Sequence, residues 1–194
     1  MPTDSSSESD PRYAFKASLI GSAHQFELTE QGLSWRVAGR AGLWAYNDIA
    51  AVRLSYRPVS MQSRRFRADI LNAEGARLAI LSTSWQTAAL MAPQDRDYRA
   101  FIVALHARMA KGGSRAVLAG GLGPRVYAAA IVCVTLLAVA MTGLLLRSVT
   151  TGEWAGALFL IGFAALFAWQ VGGFIMRNRP LTYGFDDLPK ALLP

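Results

Sequence analysis

The chain has 194 residues, a formal net charge of +7 and 53% hydrophobic residues, enough for one modest folded domain beside a membrane segment. Its single cysteine, Cys133, excludes an internal disulfide and a cysteine-based metal centre. Residues 11–125 hold sixteen Lys and Arg against seven Asp and Glu, a balance of +9. That favours anionic headgroups or acidic partners, whereas nucleic acid is disfavoured because no stacking platform interleaves the basic residues.

The opening MPTDSSSESD is acidic and Ser-rich. It lacks the basic start and apolar run of a secretory signal, so export of the first domain is not expected, and residues 1–11 read as a disordered tail. From there Tyr13, Phe15, Ala17 and Leu19 alternate with Lys16 and Ser18, a strand pattern. Phe26 and Leu28 lead up to Glu30-Gln31-Gly32, and Leu33, Trp35 and Val37 lead away from it, which predicts a hairpin. Gly39, Arg40 and Gly42 mark another turn. Trp44, Tyr46, Ile49, Val52, Leu54 and Tyr56 then carry a bent or broken strand pair that Pro58 closes. A further strand through Phe66, Ala68 and Ile70 turns over 72–75 and returns through Leu78 and Ile80. Short strands at this spacing predict a small antiparallel barrel or sandwich.

The period then switches. Tyr98, Phe101, Ile102, Leu105 and Met109 recur at three and four residues, with Asp95 and Asp97 at the start and Arg108 and Lys111 at the end, as the helix dipole prefers. Residues 112–125 contain five glycines and read as a flexible tether. Within it, Gly120-Gly121-Leu122-Gly123 follows no predicted strand and lacks a phosphate-loop lysine. Two runs, 126–146 and 154–176, contain no Asp, Glu, Lys, Arg or His. At about 1.5 Å per residue they reach roughly 31 and 35 Å, matching a hydrocarbon core of about 30 Å. A transmembrane helical hairpin is expected. Lys111, Arg115 and Arg125 precede the first run and Arg177 and Arg179 follow the second, while the connecting 147–153 has one basic residue. The positive-inside rule places both ends in the cytoplasm. Residues 177–194 form a tail with Tyr183, Phe185 and Leu188, lying along the membrane surface or the folded domain.

Short strands closed by one amphipathic helix resemble the pleckstrin-homology-like domains, particularly bacterial membrane-associated versions beside transmembrane helices. The residues that carry the resemblance are Phe26-Glu27-Leu28, Gly32-Leu33-Ser34-Trp35, Tyr46-Asn47-Asp48-Ile49 leading to Val52-Arg53-Leu54, and the helix through Tyr98 and Met109. It covers roughly 13–111 and implies an α+β fold whose last helix packs over one open end of a barrel, and a binding module without catalytic machinery. The loop Gly21-Ser22-Ala23-His24, where phosphoinositide-binding members place basic residues, has none.

Arg53, Arg57, Arg64, Arg65 and Arg67 form the densest basic group. The parity of Arg53 and Arg57, and of Arg65 and Arg67, turns both pairs outward, either as a solvated face or as a patch for anionic lipid or an acidic partner. His24 and His106 have no carboxylate or nucleophile at a telling spacing, and no cluster suggests a metal or cofactor. Ala164, Ala168 and Gly172 make a small-residue row on the second span, and Thr135, Ala138 and Thr142 offer small residues on the first. These fit packing within the hairpin or a dimer face, and Gln170 could bond across either. The expected protein is non-enzymatic and sits in a bacterial inner membrane, presenting a binding module to a protein partner or to the lipid surface. The alternative is an accessory subunit assembled into a larger membrane complex through its hairpin.

Overall fold

A computed structural model describes residues 10–58, 64–87 and 90–194; most of the expected N-terminal tail lies outside them. The fold is α+β, with eleven strands and three α-helices among the described residues. The chain divides into two compact units, one comprising the described residues up to Ala119 together with 182–194, the other 120–181.

In the first unit, β1 (Arg12–Phe15), β2 (His24–Leu28), β3 (Leu33–Val37) and β4 (Arg40–Trp44) form a four-stranded antiparallel meander. Its register pairs Phe26 with Trp35 and Leu28 with Leu33 around the expected hairpin. Gly32 packs so close to the Trp44 carbonyl that a Cβ has no room there. The expected turn at Gly39, Arg40 and Gly42 is tighter than its residues suggest. Ala38 and Gly39 (φ 50° and 77°) make the whole bend, a two-residue geometry suited to strand twist. Arg40 and Gly42 therefore lie in a strand, where the Trp35 indole packs against Gly42.

A short 3₁₀ turn (Tyr46–Asp48) breaks the expected strand pair and carries the chain from β4 to a second sheet, where β5 (Ile49–Tyr56) shifts register between Ile49 and Ala51. It pairs with β6 (Phe66–Asn72), which pairs with β7 (Arg77–Leu81). A separate ribbon follows, β8 (Thr83–Thr87) with β9 (Leu90–Pro93). Among the described residues the strands form three separate sheets and no closed barrel, with β4 and β5 in different sheets on either side of the 3₁₀ turn.

α1 (Asp95–Lys111) buries Tyr98, Phe101, Ile102, Leu105 and Met109, a stripe of helical period. Phe101 lies 5.7 Å from Tyr13 and 6.4 Å from Phe26, ring centre to ring centre, so the helix packs on the inner face of the first sheet. The core continues through Val52, Leu54, Ala68, Ile70 and Ile80 on the second.

The Gly-rich segment is not simply a tether. β10 (Val117–Gly120) adds beside β5, and β11 (Leu181–Thr182) adds beside β10, giving the order β11-β10-β5-β6-β7. Leu118 is buried, which a free linker would not achieve. The apolar helices α2 (Pro124–Thr150) and α3 (Trp154–Arg177) are thus inserted between two neighbouring strands of one sheet. After them the tail returns to the folded core, where Leu192 is fully buried and Leu193 nearly so.

In the second unit α2 and α3 have mean hydropathies of 2.5 and 2.0 over their most apolar windows and are long and apolar enough to cross a membrane. Almost none of their side chains is buried: none on α2, and only Ala157 and Ile175 on α3. That separates them from core helices of a soluble domain. At the neck, the Leu122 amide donates to the Asn178 carbonyl at 2.9 Å, and Gly121, at φ 76°, leaves no space for a Cβ against the Asn178 and Arg179 carbonyls.

Candidate anion-binding arginine cluster

The five arginines expected to act together are divided by the structure. β5–β6 register sets Arg53 opposite Asp69 and Ser55 opposite Arg67, on the face away from the core. Asp69 is 5% exposed and takes a forked contact from Arg67, with Nη2 at 2.7 Å and Nε at 2.9 and 3.0 Å from its oxygens. It also accepts from Arg77, whose Nη2 lies 3.0 Å away. The sequence signal for this node is modest. Arg67 and Asp69 share strand parity, and Arg77 lies diagonally across on β7. One carboxylate thus serves two guanidinium groups and offsets part of the patch.

Arg57 and Arg65 face each other at the loop end of the β5–β6 hairpin, where the Arg57 amide donates to the Arg65 carbonyl at 2.8 Å. Residues 59–63 between them lie outside the described residues. Burial pushes the Arg65 guanidinium pKa down, and the like charges of Arg67 and Arg57 push the same way. Its Nε is enclosed without a hydrogen-bond partner among the described residues. Three cations in one place with a single shared carboxylate form a site whose field favours an anion. Arg64 points elsewhere; its charge bears on Asp95 at the start of α1.

The remaining candidates are dispersed. Asp95 bonds to Ser82, and burial raises its carboxyl pKa in spite of that bond and of Arg64. Asp97 is exposed on the first turn of α1. His24 stands edge-on to Phe15 at 5.1 Å, and burial lowers its pKa. His106 is fully buried; its Nδ1 donates to the Ile102 carbonyl at 2.7 Å, leaving Nε2 to accept from the Tyr183 hydroxyl at 3.1 Å. Burial lowers its pKa, opposed by the Ile102 bond. It therefore anchors the C-terminal tail on α1. Lys111 and Arg115 are exposed in the first unit, and Arg125, Arg177 and Arg179 are exposed at the ends of the hairpin helices. No group of three or more His, Cys, Asp or Glu side chains among the described residues could hold a metal ion.

On the hairpin, Ala164 and Ala168 line a cleft of about 360 Å³ against Ala138, Met141 and Thr142 of α2. The Thr135 and Thr142 hydroxyls donate back to their own helix, to the carbonyls of Ile131 and Ala138. Gly172 is half-buried, while Gln170 is exposed.

Comparison with protein-family models, curated proteins and solved structures finds no match for this chain. Its own geometry defines the class: a β-rich α+β domain carrying two helices long and apolar enough to cross a membrane.

Proposed function

We propose that this chain is a non-enzymatic protein of a bacterial inner membrane, with both ends cytoplasmic and a pleckstrin-homology-like module that docks on an anionic surface. The surface is that of an acidic protein partner or of anionic lipid headgroups. The observation that carries this reading is the convergence of Arg57, Arg65 and Arg67, with Arg65 partly desolvated and one carboxylate shared with Arg77. Basic residues near an anionic surface contribute roughly 1 kcal/mol each, so Arg57 and Arg65 together are worth about thirtyfold in affinity. The pleckstrin-homology likeness is supported by two strand layers and one closing helix, and the cytoplasmic placement by the basic flanks of the hairpin.

The test is hydrogen exchange of the full chain in nanodiscs of neutral and of anionic lipid, with and without R57Q/R65Q, beside crosslinking in native membranes. Lipid docking predicts protection of 53–57 and 64–67 in anionic discs alone, lost in the double variant. Partner docking predicts a crosslinked acidic protein that the double variant loses. No arginine-dependent change in either experiment refutes the proposal.

A further inference from the structure

Gln170 is the one strongly polar side chain within 154–176, and it sits about 10 Å along the helix axis inside Arg177. A carboxamide at that depth has no water to bond, and leaving it unpaired in hydrocarbon is costly. Its partner is not α2. Ala164 and Ala168 line the cleft facing α2, and at about 100° per residue Gln170 lies roughly 200° round the helix from Ala168 and 240° from Ala164. Gln170 is exposed, turned away from Ala164 and Ala168, and its side chain makes no hydrogen bond among the described residues. On the same side, one turn away in either direction, stand Leu166, 50% exposed, and Gly173, where an added Cβ would meet nothing.

We propose that the hairpin pairs with a second copy of itself through this face of α3, the two Gln170 carboxamides bonding to each other across a two-fold axis. A carboxamide carries both a donor and an acceptor. Two related copies therefore satisfy each other's Nε2–H and Oε1 without any further group, as a self-complementary two-fold contact requires. A different partner would have to bring its own polar group to the same depth. Gly173 removes side-chain bulk beside the pair and lets the helices approach closely. The cleft between α2 and α3 takes no part in this contact, so the pairing is independent of the arginine site.

The experiment is a resonance-energy-transfer dilution series on the full chain in lipid vesicles, comparing wild type, Q170L and Q170N, together with oxidative crosslinking of L166C and A164C on a C133S background. Wild type should dimerise, and Q170L should weaken the dimer about eightfold, the worth of two interhelical hydrogen bonds of average strength. Leucine makes the span more apolar, so this loss is not a failure to insert. Q170N keeps the carboxamide and should retain part of the affinity. L166C should crosslink and A164C should not. A monomeric wild type, a dimer indifferent to Q170L, or crosslinking through A164C in preference to L166C would overturn the proposal.

Discussion

Replacing Leu192 by alanine tests whether the last residues of the chain belong to the folded core. Leu192 is fully buried, two residues before Pro194, whose carbonyl accepts from Arg99 of α1 at 2.9 Å. Removing a buried leucine side chain costs about 2–5 kcal/mol, depending on how far the surroundings collapse. The backbone still has to be ordered, so its conformational cost is unchanged, and only the leucine's rotamer entropy of about 0.5–1 kcal/mol is returned. Against a typical domain stability of about 5–15 kcal/mol this is a large fraction. For a domain of this size it corresponds to a fall in Tm of about 6–15 °C. Thermal unfolding in detergent, followed by tryptophan fluorescence, reads it, because Trp35, Trp44 and Trp85 all lie in the first unit. Val103→Ala on the exposed side of α1 serves as control, where a change within about 0.5 kcal/mol is expected. An L192A protein that melts with the control would refute the reasoning and leave the tail as a surface appendage.

Asp69→Asn should move stability and binding in opposite directions. It removes a carboxylate holding Arg67 and Arg77, costing about 1.5–3 kcal/mol for charge-assisted bonds, while the arginine cluster gains one net positive charge and tighter binding to anionic vesicles. Denaturation and vesicle titration on the same preparation would show both. His106 should make the domain less stable in mild acid. Its folded pKa lies below the unfolded 6.5, so below that value the unfolded chain binds a proton that the folded chain refuses. Stability is fully present above about pH 6.5 and declines as pH falls toward the folded pKa. Melting at pH 7.5 and 5.5 should show a larger loss for wild type than for H106Q. The slope that remains comes from His24, shifted the same way, while Asp95, whose raised pKa acts in the opposite direction, is present in both proteins and drops out of the comparison.

Local periodicity made part of this architecture readable. The Phe26–Trp35 and Leu28–Leu33 pairs follow from strict alternation around Gly32, and α1 from its three-and-four spacing between an acidic start and a basic end. The two spans follow from length and composition alone. What periodicity does not encode is non-local pairing. Val117–Gly120 has too few alternating residues to announce a strand, and it becomes one because β5 offers it a free edge. The insertion of the hairpin into the sheet was hidden for the same reason, since β10 and β11 are sixty residues apart in the chain yet neighbours in space. A barrel or sandwich was expected from strand spacing, which does not tell a closed sheet from separate ones. Within the arginine group parity identified an outward face but not Asp69's part in it. On α3 the composition revealed Gln170 but not the side of the helix it occupies.

The insertion of the hairpin into one discontinuous domain is the central claim, and side-specific cysteine labelling tests it most directly. On a C133S background, single cysteines replace Arg40 in the first sheet, Thr151 between the helices and Lys190 in the tail, all exposed positions. A charged, impermeant maleimide applied to intact cells should label T151C alone, with R40C and K190C reacting only after the membrane is opened. If R40C and K190C fall on opposite sides, or T151C shares the side of R40C, the helices do not cross as a hairpin set into that domain.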